Sequence, residues 1–299
     1  MLFTQIFATY ADSHHQYQYW VDINNGTAEI DHVVAGTYRL TVYADNIFGD
    51  FTQDDIVIAA NATTHSGTLH WIPESSGTEL WRIGTPDKAG GEWRHGDVPL
   101  NTSLAPPEYR IYWGAYDYLS DFPDGVNFHV GTSDTYKDWN YIHWSVFGGY
   151  SNSRRPKQVA GSGEINNWTI TFDLDAHQLA HTHEATFTIQ LAGAKTAAGN
   201  TDTFNTTQPW NDLPLVAVVN GHELEPWIIP YNASSSCGTR SGIYCHTLAH
   251  KFTFSTSLLG CDEANEIVLS LPYNATDYQS ALLPRSVYVQ YDALRLEVR

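Results

Sequence analysis

Hydrophobic and polar positions alternate with a period of two along most of this chain, the signature of half-buried β-strands. Tyr17 to Ile23, Thr37 to Ala44 and Asp54 to Ala59 read as short strands, separated by NNG, AGT and DNIFGD turn clusters. Their spacing fits a small β-sandwich of immunoglobulin or fibronectin type that is one or two strands short of a full set. An absent first strand predicts an open sheet edge, which invites aggregation. WIPESSGTE, from Trp71 to Glu79, carries Pro, Gly and small polar residues. It places a module boundary between residues 74 and 75.

The same rhythm governs residues 75–299. Trp168, Ile170, Phe172 and Leu174 alternate with Thr and Asp, and Phe187, Ile189 and Leu191 with Thr and Gln. Phe252 with Phe254, Ile267 with Leu269 and Leu271, and Val287 with Val289 and Tyr291 continue it. Leu294, Leu296 and Val298 close the chain in step. No amphipathic helix longer than two turns is expected. About eight strands joined by long, polar, aromatic-bearing loops predict a jelly-roll sandwich, so the fold class is all-β throughout.

Composition adds the first functional hint. Aromatic residues make up 13% of the chain and charged residues only 16%, which leaves rings beyond what the cores need. The formal net charge of −18 argues against nucleic acid or an anionic membrane as partner, and no run of apolar residues is long enough to span a bilayer. An anionic polysaccharide would need a local basic patch to overcome that field. Seven Asn-X-Ser/Thr sequons, at Asn25, Asn61, Asn101, Asn167, Asn205, Asn232 and Asn274, exceed the roughly three expected by chance and point to an extracellular destination. Cys237 and Cys245 flank a short Gly- and Ser-containing loop and would close a disulfide in an oxidising compartment, leaving Cys261 free; three buried thiols are the plainer reading. MLFTQIFATYADSHH has no basic leader and a short apolar stretch interrupted by Gln5, so it makes a poor signal peptide. The expectation is that Met1 is not the natural start and that the chain is truncated.

Three loop regions carry candidate chemistry. TELWRIGTPDKAGGEWRHG gathers Lys88, Arg94 and His95 with Trp93 in a Gly-rich stretch. A guanidinium fork suits a uronate carboxylate, and an indole face suits a sugar ring. The bland alternative is a strand and loop with partnered charges. The second region, Glu108 to Gly125 with Gly131 to Gly149, is dense in Tyr, Trp, His and Asp, including Tyr116 and Trp139. Such mixtures build sugar sites, although most such rings are core. Asp117, Asp121 and Asp124 in it offer a structural Ca²⁺ site without EF-hand spacing; no other cofactor is expected. In the third, a strand ends in small residues and presents Lys195, Asn200 and Trp210, either as a ligand loop or as a structural Ω-loop. It lacks the Gly-Lys-Ser/Thr core of a phosphate loop. His177, His181 and His183 lie between strands without Cys neighbours and read as a solvated connection rather than a zinc site.

TYRLTVYADNIFGDF, GTELWRIGTPDKAGGEWRHG, PPEYRIYWGAYDYLSDFPDGVNFHVG, DWNYIHWSVFGGY, TFTIQLAGAKTAAGNTDTFN, LPLVAVVNGHELEPWIIPY and LPRSVYVQYDALRLEV together resemble the C-terminal two-thirds of fungal rhamnogalacturonan endolyases, polysaccharide lyase family 4. The resemblance implies a fibronectin type III-like module over residues 1–74 and a jelly roll similar to carbohydrate-binding modules over 75–299. It implies pectic rhamnogalacturonan I as the polymer engaged. The catalytic module of that family has no counterpart among these residues, so no catalytic residue is assigned. A non-catalytic, polymer-binding portion of a secreted lyase is therefore expected. An active lyase and a purely structural module pair stand as the alternatives.

Overall fold

The computed structural model describes residues 2–8, 18–94, 96, 121–144, 167–196, 212–230, 235–236, 248–272 and 287–299. They divide into two compact units, Met1–Glu74 with Thr85–Asp87, and Ser75–Gly84 with Lys88–Arg299.

In the first unit β1 (Leu2–Ala8), β2 (Gln18–Asp22), β3 (Gly36–Ala44) and β4 (Phe51–Ile58) form one antiparallel sheet in the order β2-β1-β3-β4. The alternation in β3 is real: Tyr38, Leu40, Val42 and Ala44 are all buried. Strand β1 was not foreseen, because its apolar residues fall in pairs around Thr4 and Gln5 instead of alternating. Two tyrosines hold the chain ahead of β3. Val34 donates its N–H to the Tyr19 hydroxyl, and the Tyr38 hydroxyl donates to the Val34 carbonyl. In β4 the register slips opposite Arg39, where Asp55 takes a left-handed φ of 60° and makes a bulge. Arg39 closes a two-pronged ion pair on Asp54 across the slip, at 2.6 and 3.1 Å. That hydrogen bond lowers the Asp54 carboxyl below its ordinary range. Burial, with the charges of Asp45, Asp22 and Asp87, pushes the Tyr43 phenol up to about 12.

The second unit pairs two sheets over one core. The first sheet comprises β6 (Asn127–His129), β8 (Trp168–Phe172), β10 (Leu213–Val219), β11 (His222–Glu223), β12 (Trp227–Ile229) and β15 (Asn265–Ser270), in the order β11-β10-β15-β8-β6 with β12 also on β10. The second comprises β5 (Thr78–Gly84), β7 (His143–Trp144), β9 (Glu184–Lys195), β13 (Ser235–Ser236), β14 (Leu248–Ser255) and β16 (Tyr288–Val298), in the order β13-β9-β16-β5 with β14 on β9 and β7 on β16. Pairings are antiparallel except for β6 with β8. Trp168, Ile170 and Phe172 of β8, Leu213, Leu215 and Ala217 of β10, and Ile267 and Leu269 of β15 line the core from one sheet. Phe187 and Ile189 of β9 and Leu294 and Leu296 of β16 line it from the other. Helix is confined to single turns among the described residues, such as Thr135–Asp138 and Ala176–Leu179.

Strand β16 runs unbroken through the two patches of alternation seen near the end of the sequence. It lies between β9 and β5 and absorbs its length with register shifts at Gln290/Tyr291 and Tyr291/Ala293. Near its end the Glu297 carboxylate accepts from the Ser75 hydroxyl and the Ser76 N–H, both at 3.1 Å. Gly77 follows with φ 152°, where a Cβ would stand 2.2 Å from the Val298 carbonyl oxygen, so only glycine fits.

Candidate functional site

The loop that leaves β5 turns on Gly84 (φ 79°), where a Cβ would strike the Trp93 ring at 2.5 Å. Gly90, whose Cβ would meet the Gln290 amide at 2.6 Å, lets the loop fold back on itself. Trp93 then passes beneath the loop and is fully buried, donating its indole N–H to the Tyr291 carbonyl at 2.8 Å. Its ring meets Trp139 at 5.5 Å. Trp139 is also fully buried, with Phe128, Trp168 and Tyr291 set edge-on to it at 5.2–5.7 Å. His143 stacks on Trp168 at 4.1 Å and 7°, its Nδ1 lying 3.0 Å from the Tyr291 hydroxyl. The expectation that Trp93 and Trp139 present faces to sugar is corrected here. Their rings are occupied by protein, and burying them anchors the loops to the core.

Lys88 is buried as well, at 8% exposure and a left-handed φ of 64°. Its backbone N–H donates to the Asp292 carboxylate at 2.9 Å, and the other oxygen of that wholly buried carboxylate accepts from the Gln190 side-chain amide. Lys88 therefore belongs to an internal network rather than to an exposed basic patch. Arg94 keeps a partly open guanidinium. Its N–H donates to the Trp139 carbonyl at 2.9 Å, and its carbonyl accepts from Tyr141 at 3.1 Å, forming a parallel bridge with Asn140. Two of the loop regions singled out in the sequence are thus joined by backbone. The Arg94 side chain, 32% exposed, forms an ion pair with Asp121 and lies 6.0 Å from the Phe122 ring centroid.

Asp121 is therefore engaged by Arg94. Among the described residues no three metal-ligating side chains converge, and Asp117 lies outside those residues. Asp124 instead offers its backbone carbonyl to the Asn127 amide. Lys195 ends β9 with its Cα opposite Tyr288. His95, Tyr116, Asn200, Trp210, Cys237 and Cys245 lie outside the described residues. Cys261 is exposed and free.

Two features escaped the sequence reading. Tyr136 exposes 47% of its surface on the helical turn Thr135–Asp138, four residues before Asn140. The signal was present: Asp134 caps that turn by accepting the Tyr136 N–H and pairs with Lys137 at 3.0 Å. His250 of β14 stacks on Trp227 of β12 at 5.4 Å and 11° and meets Phe252 edge-on. Burial in this setting lowers its pKa. Chemically, the site offers a guanidinium fork shared with a carboxylate and, on the adjoining stretch, the half-exposed Tyr136. Among the described candidates, the buried Lys88 and the paired Arg94 do not form an exposed base with a cation beside it.

Two family models and several curated relatives match this chain. Residues 79–296 match the family model described as CBM-like, polysaccharide lyase family 4 domain III. Residues 7–66 match fn3_3, polysaccharide lyase family 4 domain II. Rhamnogalacturonate lyase B of Emericella nidulans is 53% identical over 95% of this chain and 42% of its own length. Probable rhamnogalacturonate lyase C of the same organism is 51% identical over 91% of this chain and 26% of its own length. Probable rhamnogalacturonate lyase C of Aspergillus oryzae is 48% identical over 91% of this chain and 39% of its own length. The chain thus spans less than half the length of these relatives. Among solved structures, the insecticidal delta-endotoxin Cry8Ea1 from Bacillus thuringiensis gives a TM-score of 0.26 at 10% identity, covering 100% of this chain and 42% of that one. With both its modules matched, and with relatives this similar along nearly its whole length, the chain belongs to polysaccharide lyase family 4.

Proposed function

We propose that this chain is a non-catalytic portion of a secreted rhamnogalacturonan lyase, with a fibronectin type III-like module over residues 1–74 and a carbohydrate-binding jelly roll over 75–299. It holds rhamnogalacturonan I for cleavage by a catalytic module elsewhere. The observation that supports this most is the backbone bridge between Arg94 and Asn140, which sets a partly exposed guanidinium on the same platform as the stretch carrying Tyr136. Galacturonate presents a planar carboxylate to the first and a ring face to the second. Affinity electrophoresis through gels containing rhamnogalacturonan I tests the reading. Retardation of the wild type, weakened in Arg94→Gln and Tyr136→Ala and kept in Trp93→Phe, is expected. A wild type that migrates as in plain gel would sink the reading.

A second reading, that the pair of modules is purely structural, is favoured by the burial of Trp93 and Trp139. Under it, calorimetry with the polymer gives no heat at any concentration. Intrinsic lyase activity would require a base to remove the proton beside the uronate carboxylate and a cation to neutralise the developing enolate. Within the basic cluster Lys88, Arg94 and His95, Lys88 is 8% exposed and Arg94 is paired with Asp121. A flat trace for unsaturated uronate absorbance at high protein concentration is the expected result.

A further inference from the structure

We propose that Asn25, Asn61 and Asn167 each carry an N-linked glycan. The inference rests on the reading that the chain passes through the secretory route. The chemistry is defined. The side-chain nitrogen attacks C1 of the first N-acetylhexosamine of a lipid-linked oligosaccharide. An N–C bond forms, the C1–O bond to the polyprenyl diphosphate breaks with its electron pair leaving on the diphosphate, and one amide proton is lost to the transferase. The product has one N–H fewer and a bulky polar substituent. A native fold accepts it only where that nitrogen is not already needed as a donor and where space is open.

Four of the described asparagines use the side-chain nitrogen inside the fold. Asn140 donates from Nδ2 to the Ile142 carbonyl, Asn220 to Leu258, Asn265 to Gly260 and Asn127 to Asp124. None of these four begins a sequon. The three that do are all exposed, and none of their amides bonds to another described group. Asn25 stands at the tip of a hairpin turn closed by reciprocal bonds between Asn24 and Thr27 at 2.9 and 3.0 Å. Its φ of 52° and the 77° of Gly26 match a type I′ turn, and a Cβ on Gly26 would meet nothing within 4 Å. Asn61, with φ 56°, lies within residues 59–68, which are exposed without interruption. Asn167 is exposed immediately before β8, where Trp168 turns wholly inward.

The test is to express the full chain in yeast behind a supplied secretion leader. Both medium and membrane fractions are digested and deglycosylated with peptide N-glycosidase in heavy-oxygen water. Peptide mass spectrometry is expected to find asparagine converted to heavy-oxygen aspartate at positions 25, 61 and 167. Asn25→Gln, Asn61→Gln and Asn167→Gln should each lose the mass of one glycan, while Thr63→Ser keeps it. Mostly unmodified asparagine at a site overturns the assignment there, and at all three overturns the inference. Glycans found on protein retained in the cell would uphold the inference and count against secretion.

Discussion

Trp93 shows what a residue type reveals and what it hides. A tryptophan in a glycine-rich loop reads the same from sequence whether it stacks on sugar or anchors the loop. Within strands the period of two separates inward from outward positions, but loops have no such period. Trp93 is expected to be an anchor, so Trp93→Ala should cost about 3–5 kcal/mol in urea unfolding. Trp93→Phe, which keeps a six-membered ring but loses the pyrrole part of the indole and its bond to Tyr291, should cost less, about 1–3 kcal/mol. His250 makes a pH-dependent contribution of definite sign. Burial against Trp227 and Phe252 lowers its folded pKa below the 6.5 of the free side chain, so the unfolded chain binds more protons. Stability is full above that range and is lost as pH falls through it to the folded value. Melting temperatures across this window should fall more steeply for the wild type than for His250→Phe. Equal slopes would remove His250 from the account.

At the scale of elements, β16 was half legible. Leu294, Leu296 and Val298 mark the inward face, and a period of two alone would put Arg295 and Glu297 on the outward one. Both are buried, at 6% and 1% exposure, and they pair at 2.9 Å. Their cross-strand neighbours in β5 are Arg82 and Glu79, so like charges face one another across the ladder while unlike charges pair along each strand. Glu297→Ala should cost about 3–5 kcal/mol, because it removes the carboxylate paired with the buried Arg295 and the acceptor of the Ser76 N–H. The double variant Arg295→Met with Glu297→Met should recover much of that in the same unfolding assay. An additive loss would refute the coupling. Strand β1 was hidden for the opposite reason: paired apolar residues gave no alternation to read, although it sits between β2 and β3.

For the whole molecule, fold class and family were legible because they rest on patterns repeated over hundreds of residues. The site was not, since it depends on which loops meet, and that is fixed by packing rather than by order along the chain. The net charge of −18 acts at this scale too. It repels an anionic polymer over about a Debye length, roughly 8 Å in physiological salt and longer in dilute buffer. Retardation in rhamnogalacturonan gels should therefore strengthen as salt is raised from low values. A monotonic weakening would instead mean that Arg94 dominates.

The place of β16 within its sheet has a consequence for synthesis. Its partners β5 and β9 leave the ribosome long before it does, yet neither touches the other in the ladder until β16 arrives between them. Until β16 emerges, the edges of β5 and β9 that it will join stand unpaired. The larger unit therefore completes its fold late and is exposed to misassociation while it waits. Its yield in any host should track chaperone supply and elongation rate more closely than its final stability.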